Sequence, residues 1–490
     1  MPIFYSALLL TGVNLLLRLA GTSFQVFISA QVGAEGIGLL QLVLSVGALS
    51  MTLGMAGART STMYLTAEEL GRKNEGNVRH ILSGCITYSI IASATVSILL
   101  TTFAPQLARH WIGNEQTIAA LRLYAVFVPV NCLCGVMAGY FTAANRIGTL
   151  AAVEIAEQVC SMAATASLLI AWAKHDPAKS CEAVILGNGI GSCLTLGCLL
   201  FLRARERATT ATPIPVRNRL LQVAVPLALA DDLKTGINTV ENLMVPKRLA
   251  LFTAAISPLA AFGTVCGMVF PVLMFPAAII YGLAELLIPE LARCAAAGSH
   301  RRINYLTRKS LRLALLYGIL FSGLMFICAD PLCQKLYGNN LAGYWLKRYA
   351  ILIPMLYCDA ITDAMTKGLG QQKACVRYNI ITSFMDVVLL YLLLPKYGME
   401  GYFASFLVTH AINFALSLRR LLIITNKKPG LSVPLKAITA ALISVILSST
   451  ISKPVISCTI FITVLACLLT LFKVVGKEDL RWLKGLISPK

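Results

Sequence analysis

Four polar side chains, Asp231, Lys234, Asn238 and Glu241, recur inside an apolar stretch that reads LALADDLKTGINTVENLMVPKRL at residues 227–249. At 100° per residue they fall within about 80° of one another, so a helix made from this stretch carries a single polar flank. Ionisable groups at membrane depth are expensive unless they face a partner or a water-filled cavity, and the flank therefore points to ligand binding or ion coupling. The bland alternative, an Asp231–Lys234 pair at i, i+3, leaves Asn238 and Glu241 unexplained. Two further flanks carry arginine. In the first apolar run, residues 3–30, Asn14, Arg18, Gly21 and Gln25 lie within about 60° of one another. In the second, residues 37–65, Gln41, Ser45, Thr52 and Arg59 do the same. Arginine keeps its proton at any relevant pH and grips phosphate through a planar fork, so an inward Arg18–Arg59 pair suits an anionic headgroup. The structural alternative is that each arginine snorkels to an interface. Further along, Asp359 and Asp363 stand at i, i+4 with Lys367 a turn later, and Asp386 follows in the next apolar run. With Asp231, Asp232 and Lys234, Asp359 and Asp363 form the candidate ion-coupling or gating set. Glu154 and Glu157 open the fifth run near a basic turn and are read as structural partners of Arg146 or Arg59.

The elements that hold these residues are membrane helices. The chain has 490 residues, 57% hydrophobic and 13% charged, with a mean hydropathy of +0.75. That is far more apolar surface than a soluble core of this length needs. Apolar runs of about 20 residues, without strand-like alternation, give an all-α polytopic membrane protein with about fourteen transmembrane helices. The net charge of +20 does not indicate nucleic acid. About two-thirds of the Lys and Arg residues fall in alternate connections, which puts both termini in the cytoplasm of a multi-pass cell-membrane protein and leaves a basic face for anionic lipid. The first apolar run has no basic n-region and runs on past Arg18, as an uncleaved span does. Most of the 15 cysteines lie in apolar runs as small reduced core residues, and neither a CxxC pair nor a His cluster offers metal spacing. No P-loop, glycine-rich phosphate cradle or nucleophile–base pair occurs, so neither an enzyme nor an ATP-driven pump is expected, and no cofactor or metal.

The order of these runs suggests two halves. Residues 1–204 hold six spans and 205–218 form a basic, Thr/Pro-rich cytoplasmic linker. Residues 219–426 hold six more spans, and 427–490 hold two additional spans and a basic tail. The fourth span ends GYFTAANRIG and the tenth ends AMTKGLGQQKAC, each led by a proline (Pro129, Pro354) and closing in a short Gly- and Asn/Gln-containing turn. This is the mark of two repeats of the same handedness. The eighth span contains Pro271 and Pro276, which free backbone carbonyls and make it the candidate hinge.

Several short motifs carry a resemblance. VPKRL at 245–249 with the preceding INTVEN, GMVFPVLMFP at 267–276, IPE at 288–290, GAEGIGLLQ at 33–41, GYF at 139, EQ at 157 and the stretch LPKYGMEGYFASFLVTHAINFALSLRRL resemble the stage V sporulation protein B family. That family of polysaccharide-exporter-like proteins lies within the multidrug/oligosaccharidyl-lipid/polysaccharide flippase superfamily, and the likeness runs through nearly the whole chain. The resemblance implies two six-helix bundles in a V around a central cavity. It implies as substrate a polyprenyl-pyrophosphate-linked glycan, moved from the inner to the outer leaflet for spore-cortex or cell-envelope synthesis. Arg18, Gln25, Arg59, Asn238 and Glu241 are then the candidate lining of the substrate cavity. The chain departs from its relatives where they carry basic residues late in the first span; here Gln25 and Ala30 stand.

Three functions compete. A lipid-linked-glycan flippase is favoured by the arginine pair in an amino-terminal half without deep acids. A cation-coupled multidrug antiporter, driven by Na+ or H+, is the alternative that the acidic residues of the carboxyl half would suit. A scaffold that recruits envelope-synthesis proteins through basic loops is the non-transporting reading.

Overall fold

In the computed structural model the described residues are 2–71, 75–173, 176–205, 216–252, 257–426, 432–449 and 453–474. The middle of the expected linker, residues 206–215, and the basic tail lie outside them, as does the side chain of Asn14. Among the described residues the chain is helical with no strand, as the length of its apolar runs predicts.

In chain order the helices are α1 (Pro2–Met55), α2 (Ala58–Gly71), α3 (Glu75–Gln106), α4 (Thr117–Ala143), α5 (Ile147–Leu168), α6 (Pro177–Ala204) and α7 (Val216–Leu249). Then come α8 (Pro258–Gly263), α9 (Phe270–Met274), α10 (Ala277–Ala296), α11 (His300–Tyr337), α12 (Asn340–Ala350) and α13 (Ile353–Gly368). The last are α14 (Gln372–Tyr397), α15 (Met399–Ile424), α16 (Ser432–Ser449) and α17 (Pro454–Leu471). Among the described residues nine segments are long and apolar enough to cross a membrane, or ten if the bent α8–α10 segment counts as one span. The sequence expectation of about fourteen includes four more. One arises because residues 15–70 form a single segment of 56 residues, roughly 80 Å of helix against a hydrocarbon core of about 30 Å. Gly33, at φ 78°, breaks it where the sequence reading separates two spans. The other three are α7, which is charged, α12–α13, which is interrupted at Ile351 and Leu352, and α16, which is short.

Two compact units contain these helices. One comprises residues 1–267 together with Asp386–Tyr402, and the other Met268–Met385 with residues 403–490. The border between units thus falls inside the eighth expected span and not in the 205–218 linker, because α7 packs closely on α1 and α2. In the first unit a buried cluster joins Leu65, Cys85, Val136, Phe141, Leu199 and Ala224. In the second, buried Tyr349 makes edge contacts with Phe270, Phe403 and Phe406 at centroid distances of 5.1, 5.1 and 5.3 Å. A satellite cluster around Phe461 and Leu465 packs α16 and α17 on α11.

The repeat seen in the sequence has a structural counterpart. After α4, Asn145 adopts φ 58°, with Ala144 N–H bonded to Tyr140 O, Asn145 N–H to Thr142 O and Arg146 N–H to Phe141 O. After α13, Gly370 adopts φ 78°, with Leu369 N–H bonded to Met365 O, Gly370 N–H to Lys367 O and Gln371 N–H to Thr366 O. Both helices therefore stop in the same left-handed cap, and each left-handed residue follows its proline, Pro129 or Pro354, at the same distance along the chain.

Candidate functional site

The polar residues of α7 are sorted by direction. Thr235, Thr239 and Asn242 face α1: Thr239 Oγ1 donates to Ser45 O at 3.1 Å, Asn242 Nδ2 to Ser45 Oγ at 2.9 Å, and Thr235 lies against Thr52 at 3.3 Å. On the flank that the helical wheel picks out, Asp231, Lys234 and Asn238 stay exposed. No ion pair joins Asp231 to Lys234 among the described residues, so the bland reading of that spacing finds no support. Asp232, half-buried, has a buried Oδ1 without a hydrogen-bond partner.

Glu241 leaves that flank for a different partner. Its carboxyl lies against that of Asp386, a buried residue of α14, so two acids from different helices meet in the interior of the unit. Two carboxyl groups side by side at such a place are suited to holding a proton or a small cation between them. About two helical turns beyond Glu241, Arg248 lies 3.4 Å from the centroid of the Tyr391 ring and donates from Nε and Nη2 to Tyr391 O at 3.2 and 2.9 Å. The arginine of VPKRL thus anchors the end of α7 on the same stretch of α14 that supplies Asp386. The helix start is anchored as well. Arg219 bridges Glu68 at 2.7 Å and Glu69 at 3.1 Å, and Asn77 donates to Glu69 at 3.2 Å.

Arg18 on α1 and Arg59 on α2 are both exposed. The backbone at Arg59 is set by close helix packing: a Cβ on Gly139 of α4 would stand 2.4 Å from Arg59 O, so α2 presses on α4 there. An acid lies near it, since Glu154 is close enough to feel its charge. This corrects one expectation. Glu157 is roughly ten residues into α5, about 15 Å along the helix, which is mid-membrane depth and not a cytoplasmic end. Its carboxylate accepts from Thr195 Oγ1 at 2.8 Å and Ser192 Oγ at 3.4 Å, and Ser192 also donates to Asn131 Oδ1 at 2.7 Å. The amino-terminal half does hold deep acids. Gln25 is half-buried, with its Nε2 buried and without a partner.

In the second unit, Asp359 accepts from Asn413 Nδ2 at 3.1 and 3.4 Å, and Asp363 pairs with Lys367. Pro271 lies in the first turn of α9 and Pro276 stands at the bend between Pro258–Met274 and Ala277–Ala296, which measures 63°. The preceding turn, Thr264–Val269, is π-wound, a second mark of a broken helix. Sequence reasoning missed two things: that Asp386 belongs with Glu241, and that Glu157 belongs to the interior.

Comparison with known proteins sets this geometry in a family. The family model for the lipid II flippase MurJ matches residues 63–469. Stage V sporulation protein B of Bacillus subtilis (strain 168) is 23% identical over 411 residues, covering 80% of this chain and 78% of its own. Among solved structures, the lipid II flippase MurJ in an inward closed conformation superposes with a TM-score of 0.70 at 14% identity, covering 95% of this chain and 98% of that one. An inward-facing multidrug resistance MATE family transporter of the MOP superfamily gives 0.66 at 12% identity, covering 86% and 100%. At these identities the solved structures speak to the fold, an all-helical MurJ/MATE-like transporter fold. The match to the family model extends over most of the chain, and this multi-pass membrane protein belongs to the lipid II flippase MurJ family of the MOP flippase superfamily.

Proposed function

We propose that this chain moves a polyprenyl-pyrophosphate-linked glycan, a peptidoglycan or other polysaccharide precursor, from the inner to the outer leaflet of the cell membrane by alternating access. The setting is spore-cortex or cell-envelope synthesis, with both termini in the cytoplasm. The observation that supports this most is that the two guanidinium groups at membrane depth, Arg18 and Arg59, are both exposed on helices of one unit within a chain of a flippase family. Exposed on helices of one unit, the two guanidinium groups offer planar forks to an anion, and a pyrophosphate takes two forked arginines well. Gln25, with its unpartnered amide, and Asn238 on the exposed flank of α7 add neutral hydrogen-bonding capacity. The coupling ion of this proposal, H+ or Na+, has its best-placed ligands at Glu241 and Asp386. Asp359 and Asp363, already occupied by Asn413 and Lys367, are better suited to gating.

The deciding experiment is translocation of a fluorescent lipid-linked peptidoglycan precursor in proteoliposomes, scored by its accessibility to a modifying enzyme outside. Flipping by the intact protein and its loss in the Arg18→Ala/Arg59→Ala variant is the expected result. Normal flipping by that variant would refute the anion-site assignment. A second reading, the cation-coupled antiporter, draws support from Glu154 and Glu157. It expects export of an organic cation that survives, or improves with, removal of the two arginines.

A further inference from the structure

Inside the first unit, between α1, α4, α5 and α6, lies a cavity of about 420 Å³. It is distinct from the exposed flank of α7 and plays no part in the flippase reading. Its walls carry two kinds of group. Glu154, Glu157, Gln158 and Asn131 bring carboxylate and amide oxygens, and Tyr124 and Phe127 bring aromatic faces. The volume lies in the range of small-molecule sites, roughly 300–1,000 Å³, and is much larger than a bare monovalent ion needs.

The charges select the ligand. Glu157 is held in place: Thr195 and Ser192 donate to it, so its carboxylate is fixed as an acceptor on the cavity wall. Glu154, one turn earlier on the same face of α5, makes neither a hydrogen bond nor an ion pair among the described residues, and the charge it feels from Arg59 comes from outside ion-pair distance. Two acids against one arginine leave the cavity with an excess of negative charge at membrane depth, which a cationic guest would neutralise. The aromatic wall favours a delocalised or alkylated ammonium over a strongly hydrated ion, because the faces of Tyr and Phe attract cations that shed water readily. The cavity is also kept open by a glycine. A Cβ on Gly189 would stand 2.4 Å from the Phe127 ring, so only glycine lets that ring lie back against α6.

We propose that this cavity is a binding site for an organic monocation, held by Glu154 and Glu157 and stacked on Tyr124 and Phe127. The site is independent of the lipid-linked cargo. The test uses full-length protein in lipid nanodiscs and ethidium as the probe, followed by fluorescence, with an uncharged phenanthridine of similar size as competitor. Saturable ethidium binding at micromolar concentration is expected, and the uncharged compound should displace it poorly. Glu154→Gln should weaken binding about tenfold, and Gly189→Ala should abolish it by pushing Phe127 into the cavity. Glu157→Gln should weaken binding to a similar degree, but it also disturbs the Thr195 and Ser192 bonds. Glu154→Gln, whose carboxylate holds no helix, is therefore the deciding variant, and each variant is checked for an unchanged thermal transition. Absence of saturable binding, equal binding by Glu154→Gln, or full displacement by the uncharged compound would each overturn the proposal. None of these outcomes bears on flipping, which is scored separately on the lipid-linked precursor.

Discussion

The bridge at the start of α7 offers the most quantitative test of how this fold is held. Arg219 reaches back to α2 with both ends of its guanidinium, to Glu68 at 2.7 Å and to Glu69 at 3.1 Å. The three side chains differ in exposure: Glu69 is 1% exposed, Glu68 28% and Arg219 32%. Replacing Arg219 by Ala takes the guanidinium from the buried carboxylate of Glu69, which keeps the Asn77 amide. Removing one partner of a fully buried pair costs about 3–5 kcal/mol, and the partial exposure of Arg219 brings this down to about 2–4 kcal/mol. Glu68→Gln should cost about 0.5–1 kcal/mol, as surface pairs do. Arg219→Lys should recover less than half, because a single ammonium cannot span both carboxylates as the fork does. Thermal unfolding in nanodiscs reads these differences. For a chain of this length about 1–2 °C is expected per kcal/mol, so Arg219→Ala should lower Tm by roughly 2–8 °C. The double variant Arg219→Ala/Glu69→Gln should unfold above the sum of its parts, because the uncompensated charge is gone. Additive effects, or an Arg219→Ala variant as stable as the parent, would refute the idea that a buried carboxylate ties α7 to α2.

Other expectations follow from equally local geometry. In the proteoliposome assay, the double variant Glu241→Gln/Asp386→Asn should lose ion-driven transport, while either neutral single variant keeps one carboxyl and should keep part of it; full activity in the double variant removes the pair from coupling. Cys328 and Cys458, with sulfurs 3.0 Å apart on α11 and α17, should cross-link under a mild oxidant and lower the free thiol count by two in the denatured protein; an unchanged count refutes the packing of α17 on α11. Gly263→Ala would put a Cβ 1.9 Å from Ala34 O, so α1 and α8 must separate, at a cost of about 1–3 kcal/mol; a Tm equal to that of the parent would show that these helices do not meet as described.

Helix identity and membrane character could be read from run length alone, since a span needs only enough consecutive apolar residues, and the repeat could be read because the same cap was built twice from the same kind of turn. The candidate site was legible only to the level of a helical wheel. Angles on a wheel state which α7 side chains share a flank, and Asp231, Lys234 and Asn238 do remain together on the exposed one. They cannot state what lies opposite each side chain, so Glu241, at the edge of the flank, gave no sign that its partner is Asp386 on α14. Long-range pairing leaves no periodic trace within either helix. Glu157 eluded the reading for another reason. Its closeness in sequence to the basic turn suggested a partner there, whereas about ten residues of helix at 1.5 Å each carry it roughly 15 Å from the start of α5, onto the wall of a cavity. The half read as arginine-only therefore holds two acids on that wall. A flippase for an anionic pyrophosphate and a site for an organic cation are then compatible in one bundle, because Arg59 and Glu154 keep opposite charges close without pairing them. The double arginine variant should therefore strengthen ethidium binding while it abolishes flipping. Parallel loss of both would mean that the arginines support the bundle itself and bind neither ligand.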